Sequence, residues 1–151
     1  MPSGSGARTP RWYSAAMRAE EERLCFGCSK ANPEGLRMSI WRQGEEVWGE
    51  LVTSAHHQGF PGHVHGGVIA AALDEAMGWA VYHKGYLAAT AHLDVKYRAP
   101  LNVGERARVR ARVVKARGRR IMVQAVMEDA SGRGVAEGWA LFLRPPPGAP
   151  T

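Results

Sequence analysis

The chain of 151 residues has no long apolar run and only two cysteines. A helix that spans a bilayer needs about 20 consecutive apolar residues, and no window of this sequence approaches that length. Residues 1–16 also lack the apolar core of a secretory signal peptide. These absences argue against a membrane-spanning helix and predict a cytoplasmic protein. An apolar fraction of 45% and a charged fraction of 23% are ordinary for one globular domain.

The two cysteines, Cys25 and Cys28, have a spacing that occurs in zinc sites and in redox pairs. Zinc would need two further ligands, and a redox pair would need a thioredoxin-like βαβ context, which is missing. His56, His57 and His63 are close in sequence, but their spacing is not typical of a zinc site. Thiols stay reduced in a cytoplasm. We therefore interpret the cysteines as free thiols in a packed loop and predict no metal.

Negative charge is scarce, because 14 Asp and Glu stand against 20 Lys and Arg, giving a net charge of +6. In the densest basic stretch, residues 106–120, the first arginines alternate with Ala and Val, as on the solvent face of a half-buried strand. No recognisable nucleic-acid-binding module accompanies the charge. We interpret most of these cations as a solvated face, and the functional alternative is binding of a phosphorylated cofactor.

Turn signals and apolar periodicity divide the chain into elements. We predict an N-terminal extension with a short helix at 1–24, one domain at 25–144 and a disordered tail at 145–151. The domain contains, in order, predicted strands at 36–42 and 46–53, a helix at 67–83, and strands at 88–97, 105–116, 119–128 and 135–143. This order is typical of an α+β fold. Because the helix is apolar on nearly every face, we expect a curved antiparallel sheet wrapped around it, buried on nearly every side, with open edges that favour dimerisation.

The run 65–79 carries the strongest functional signal. A histidine and two glycines open an Ala-rich helix, whose first turn offers unpaired N–H groups and the positive end of the helix dipole. The glycines let another molecule approach the backbone closely. Asp74 and Glu75 follow among apolar residues, where a carboxylate is costly unless it is paired, hydrogen-bonded or used. The run could therefore supply both an oxyanion site and a carboxylate for catalysis.

The two carboxylates differ in their expected surroundings. Asp74 shares its helix face with small or apolar residues, which leave room for a substrate and favour a raised pKa. These residues are Ala70, Ala71, Met77 and Gly78. Glu75 lies about 100° round the helix, and we interpret it as a structural acid that pairs with an Arg or a backbone amide.

Five motifs then occur in one order along the chain. They are Cys25-Phe-Gly-Cys28, Asn32-Pro-x-Gly-Leu36, Gly59-Phe-Pro-Gly-x-Val-His-Gly-Gly67, Leu73-Asp-Glu-Ala-Met-Gly78 and Val95-Lys-Tyr-Arg-x-Pro100. Together they resemble the hotdog-fold acyl-CoA thioesterases of the phenylacetic-acid-degradation type. The resemblance implies an α+β hotdog fold, hydrolysis of acyl-CoA to a free acid and CoA, and a homodimer or homotetramer that needs no cofactor.

The resemblance implies catalytic roles for three residues. Asp74 matches the helix carboxylate that attacks the thioester or activates water, and both roles stay open. Gly66 matches the glycine whose N–H polarises the thioester carbonyl, and His65 matches the adjacent histidine that shapes the loop. In such enzymes the site lies at a dimer interface, so Asp74 and Gly66 would come from different subunits.

The resemblance and the helix face also predict contacts with the substrate. The substrate-binding set is Gly67, Thr90, His57 and Met77, and the CoA-binding set is Lys96, Arg98, Arg119 and Arg120. Many relatives have an Asn where this chain has Gly59, so His57 or Thr90 would position the attacking water here.

Two other functions stay open for the same fold. A dehydratase or hydratase would pair a His with the carboxylate for proton transfer on the acyl chain. An acyl-CoA-binding module would have no catalysis at all, since fold alone does not fix function.

Overall fold

The elements of the protein follow the predicted order in the computed structural model, which describes residues 24–148. They are β1 (Ser39–Gln43), β2 (Glu46–Val52), a one-turn 3₁₀ helix (Ala55–His57), α1 (Gly66–His83), β3 (Ala89–Tyr97), β4 (Arg106–Arg117), β5 (Arg120–Asp129) and β6 (Gly134–Leu143). The largest shift from prediction is the start of β1, and the 3₁₀ helix was not predicted. The predicted N-terminal helix lies outside the described residues, apart from Leu24, as does the tail beyond residue 148. No helix of the described part is long and apolar enough to cross a membrane.

All six strands form one antiparallel sheet, in the order β1-β2-β4-β5-β6-β3. The alternation of small apolar residues with arginines gives β4 one buried and one exposed face. Ala107 and Val109 are buried, and the arginines next to them are exposed. This confirms the interpretation of the arginines at the start of the basic stretch as the solvated face of a strand. Two of its arginines, Arg106 and Arg108, form salt bridges with Glu50 on β2. β1 and β3 are the edges of the sheet.

Helix α1 packs against β2 through β6 with one face only. Its buried residues are Ile69, Ala72, Leu73, Ala76, Met77, Ala80 and Val81. The opposite face, which includes Ala70, Asp74 and Gly78, is half-buried. The hotdog arrangement of a sheet around one helix is therefore confirmed, but the expectation of burial on nearly every side is wrong for a single chain. A single sheet covers only one side of a helix, and the other side stays accessible.

Candidate active site

The start of α1 is fixed by its N-cap residue, His65. Its Nδ1 accepts a hydrogen bond of 2.8 Å from the Gly67 N–H, one of the groups that a helix start leaves unpaired. The Gly66 carbonyl accepts a hydrogen bond of 2.6 Å from the Tyr97 hydroxyl on β3. Within residues 24–148 the Gly66 N–H has no acceptor. This N–H is therefore available to donate to an oxyanion.

Asp74 lies on the half-buried outer face of α1, where Thr90 on β3 holds it. Thr90 Oγ1 donates a hydrogen bond of 2.7 Å to Asp74 Oδ1. Burial raises the pKa of Asp74 above its ordinary 3.8, the Thr90 hydrogen bond opposes this, and the Glu75 carboxylate adds to it. Among the described residues no salt bridge involves Asp74. A fixed carboxylate without a cation beside it is suited to act as a base or a nucleophile.

One chain does not bring Gly66 and Asp74 together. The two residues are eight positions apart on α1, which is about 12 Å along the axis at a rise of about 1.5 Å per residue. A thioester carbonyl that accepts from the Gly66 N–H therefore lies out of reach of Asp74 in the same chain.

Met77, a predicted substrate contact, lies in the core instead. It is 0% exposed, and it packs so closely under β6 that a Cβ at Gly138 would come 3.2 Å from its Cε. Met77 follows Asp74 by three residues, which correspond to about 300° of rotation around the helix axis. Met77 therefore lies about 60° away from Asp74 around the helix, on the side that faces the sheet. The expectation that Met77 shares the accessible face of Asp74 is thus corrected.

His57 holds the loop that precedes α1. Its Nδ1 accepts a hydrogen bond of 3.1 Å from the Ser54 N–H, and its carbonyl accepts one of 2.7 Å from the His65 N–H. Burial, with a smaller effect of the neighbouring His56, lowers the pKa of His57. A Cβ at Gly59 would come 3.0 Å from the His65 Cα, so this loop fits a glycine at that position. The substrate contacts of His57 and Gly67 stay predictions.

The four predicted CoA-binding cations form two pairs at opposite ends of the strands, Lys96 with Arg98 and Arg119 with Arg120. Across the sheet Lys96 is in register with Glu137 of β6, whereas Arg120 is in register with Leu143. Glu137 and Leu143 are six positions apart along β6, a distance of about 20 Å. Arg98 also forms a salt bridge of 3.2 Å with Glu137. One chain therefore does not join the two pairs into one phosphate site.

Within residues 24–148 Glu75 pairs with neither an Arg nor a backbone amide, which differs from the expectation from the sequence. Its Oε1 accepts a hydrogen bond of 2.9 Å from Trp79 Nε1, and the Cys25 thiol lies 3.5 Å from the same oxygen. Neither Cys25 nor Cys28 forms a disulfide. The hydrogen bond between the two thiols is the main cause that lowers the pKa of Cys25 and raises the pKa of Cys28.

The contacts of Tyr97 with Gly66 and of Trp79 with Glu75 were not predicted from the sequence. Tyr97 stands in the fifth motif, and strand alternation gives it the same face as the half-buried Val95. Trp79 follows Glu75 by four residues, the spacing of neighbours on one helix face. Both spacings could have indicated the contacts, but neither could have named the atoms that meet.

The fold and the site define a hotdog-fold protein with a carboxylate on the accessible face of its central helix. The family model of the thioesterase superfamily matches residues 61–136, half of the chain. The chain belongs to the thioesterase superfamily, which confirms that part of the resemblance.

Individual relatives agree with this assignment. Acyl-coenzyme A thioesterase THEM4 of Rattus norvegicus is 30% identical over 96 residues, which are 63% of this chain and 41% of that protein. A solved thioesterase superfamily protein matches with a TM-score of 0.71 and 28% identity, over 74% of this chain and 58% of its own. The E. coli PaaI protein of the phenylacetic acid degradation operon has the same fold, with a TM-score of 0.69, 17% identity and coverage of 72% and 84%. The chain thus spans about two fifths of the curated relative.

Proposed function

We propose that the protein is an acyl-CoA thioesterase, which uses water to cleave acyl-CoA into a carboxylic acid and CoA. The observation that carries this proposal is the half-buried Asp74, held by Thr90 at 2.7 Å and free of any cation in the described part of the chain. Membership of the thioesterase superfamily and the likeness to an acyl-coenzyme A thioesterase support the reaction class. The reaction needs no organic cofactor and no catalytic metal.

The active site is shared between two subunits of a homodimer. Gly66 and Asp74 of one chain are too far apart to act on one thioester, whereas a second chain on the outer face of α1 would supply the missing group. In this arrangement Gly66 of the partner subunit donates its N–H to the thioester oxygen, where negative charge develops. Association of two dimers into a tetramer is compatible with the same site.

Asp74 acts on the carbonyl carbon from the other side. As a base it takes a proton from water, whose oxygen bonds to the carbonyl carbon, and the carbon–sulfur bond then breaks. As a nucleophile it forms an anhydride that water hydrolyses in a second step. In both cases CoA leaves as a thiolate, which takes up the proton held by Asp74 or a proton from water, and Thr90 keeps the carboxylate in position.

The CoA phosphates bind to the proposed cations Lys96, Arg98, Arg119 and Arg120, because cationic side chains form charge-assisted hydrogen bonds with phosphates. Within one chain the two pairs lie at opposite ends of the strands. A dimer is therefore needed to place a pair of one subunit near the other pair of its partner. We also propose a cytoplasmic location, which is consistent with the two unpaired thiols.

The direct test measures thiol release with Ellman's reagent from acetyl-, hexanoyl-, palmitoyl-, phenylacetyl- and hydroxybenzoyl-CoA. Asp74→Asn should lower turnover about 10²- to 10⁴-fold, the usual contribution of a general base, with the fold intact by circular dichroism. Glu34→Gln, which also removes one carboxylate charge but at an exposed position outside β3 and α1, is the control and should keep wild-type turnover.

Two results would contradict the proposal. Normal turnover by Asp74→Asn would remove the assigned role of this residue. No hydrolysis of any substrate by the wild-type protein would favour the dehydratase or the binding module instead.

A further inference from the structure

Residues 25–28, which we call the cysteine loop, form a cluster with Glu75 that the proposed hydrolysis does not use. The Cys25 Sγ lies 3.5 and 3.6 Å from the two carboxylate oxygens of Glu75. One potential ligand atom from each of Cys25, Cys28 and Glu75 lies within 4.8 Å of the others. Cys25 and Glu75 are 50 positions apart in sequence, so it is the fold that adds the carboxylate to the thiols.

Two glycines allow the cysteine loop to lie this close to α1. A Cβ at Gly27 would come 2.4 Å from the Glu75 carboxylate, and a Cβ at Gly35 would come 2.7 Å from the Phe26 carbonyl oxygen. That same carbonyl accepts a hydrogen bond of 2.7 Å from the Leu36 N–H. Any side chain at either glycine would therefore push the loop away from the carboxylate or break its anchor.

Main-chain hydrogen bonds hold the cysteine loop in place. The Gly27 carbonyl accepts a hydrogen bond of 2.9 Å from the Met38 N–H at the approach to β1. The Asn32 side chain donates to the Leu24 carbonyl at 3.1 Å and accepts from the Glu34 N–H at 3.0 Å. The thiols are thus positioned by a fixed backbone, as ligands of a preorganised site should be.

The carboxylate is oriented and lacks a cation. Trp79 Nε1 donates to Glu75 Oε1 at 2.9 Å, the kind of outer hydrogen bond that orients metal ligands. Within residues 24–148 Glu75 takes part in no salt bridge. Two sulfurs and one carboxylate suit a thiophilic divalent ion such as zinc, and they do not suit Mg²⁺ or Ca²⁺.

The spacing also fits zinc. A tetrahedral ion with a Zn–S bond of about 2.3 Å and a Zn–O bond of about 2.1 Å holds its sulfur and oxygen ligands about 3.6 Å apart. The distances from Cys25 Sγ to the Glu75 oxygens are 3.5 and 3.6 Å. Cys25 Sγ and the Glu75 oxygens therefore already have the separation of two ligands of one zinc ion, and the Cys28 ligand atom lies within 4.8 Å of both residues' ligand atoms.

We propose that Cys25, Cys28 and Glu75 bind one zinc ion per chain, with water in the fourth position. The ion fastens the cysteine loop to α1 and has a structural role. This proposal replaces the interpretation of two free thiols, because the sequence spacing offered only two ligands and the fold supplies the third.

The test measures metal binding by the full chain, after reduction and removal of metal with a chelator. Dialysis against Zn²⁺ followed by elemental analysis should give one zinc per chain, and Co²⁺ should produce sulfur-to-cobalt charge-transfer absorption. Cys25→Ser and Cys28→Ser should each lose this absorption, and Glu75→Gln should weaken binding. Glu34→Gln, which changes an exposed carboxylate near the same loop, is the control and should bind zinc like the wild type.

A fifth variant tests the arrangement without removing a ligand. Trp79→Phe removes the hydrogen bond to Glu75 and keeps an aromatic ring beside Tyr82 and His83. It should weaken zinc binding about 10- to 100-fold, as loss of an orienting partner usually does. Circular dichroism would show whether each variant is folded.

Zinc well below one per chain, or equal binding by the folded serine variants, would overturn the proposal. So would a disulfide between Cys25 and Cys28 in the purified protein that, once reduced, binds no zinc. None of these measurements depends on turnover, and their failure would leave the proposed hydrolysis untouched.

Discussion

At the scale of single residues, the hydrogen bond from Thr90 to Asp74 determines how the carboxylate is held. Thr90→Val keeps the shape of the side chain but removes the donor. A hydrogen bond to a charged group contributes about 1.5–3 kcal/mol, so we expect kcat to fall about 10- to 100-fold. Initial rates with the best acyl-CoA of the panel measure this effect.

Thr90→Ser is the matched control, because it keeps the hydroxyl and should retain most of the wild-type kcat. If the Val and Ser variants were equally active, the hydroxyl would have no part in positioning Asp74. If both were equally impaired, the role of Thr90 would be packing of its methyl group.

At the scale of elements, His57 in the loop before α1 should make the free energy of unfolding depend on pH. The unfolded His57 takes up a proton near its ordinary pKa of 6.5, whereas burial lowers the pKa of the folded side chain. The unfolded state therefore binds more protons below 6.5, and the free energy of unfolding falls as the pH falls, until the folded His57 is protonated as well. Protonation would also remove the Nδ1 acceptor of the Ser54 N–H.

Urea unfolding at about pH 7.5 and about pH 5.5, on either side of the ordinary histidine pKa, measures this loss. His57→Gln should lose less stability between the two conditions than the wild type. His63→Gln, a change at an exposed histidine of the same loop, should keep the wild-type difference. Equal losses in all three proteins would show that His57 has no share in the effect.

The elements themselves were predictable because local signals decide them. The alternation of apolar residues and arginines indicated the buried positions of β4. The Lys-Gly pair at residues 84–85 indicated the end of α1, and Gly85 there has a φ of 84°. The place of Thr90 near the reacting centre was expected only through the resemblance, and its hydrogen bond to Asp74 was not predicted. The contact of Glu75 with Cys25 was not predictable, because Cys25 is 50 positions away and only the packing of the cysteine loop on α1 brings it close.

At the scale of the whole molecule, the edge of the sheet and the accessible side of α1 support the proposed homodimer. Within residues 24–148, β3 has one sheet neighbour, β6, and most of its residues are exposed. An edge strand of this kind offers unpaired backbone groups to another strand. The contact between Thr90 and Asp74 joins this edge to the accessible face of α1. A second copy placed along β3 would therefore cover the candidate site.

Subunit complementation tests whether two chains share each site. Gly66 is the first residue of α1, where Pro is tolerated, and His65 has the extended backbone (φ −61°, ψ 135°) that precedes Pro. Gly66→Pro therefore removes the proposed oxyanion donor with little effect on the helix. Gly66→Ala keeps the N–H and adds the same Cβ beside Tyr97, so it controls for crowding.

Gly66→Pro and Asp74→Asn should each be inactive as homodimers. In a mixed dimer, one of the two sites combines the intact Asp74 of one chain with Gly66 of the partner subunit. Random exchange of equal amounts makes half of the dimers mixed, each with one working site, so we expect recovery of about a quarter of the wild-type activity. Native mass spectrometry would confirm the exchange. Mixed dimers without recovered activity would mean that the two residues do not serve one site across the interface.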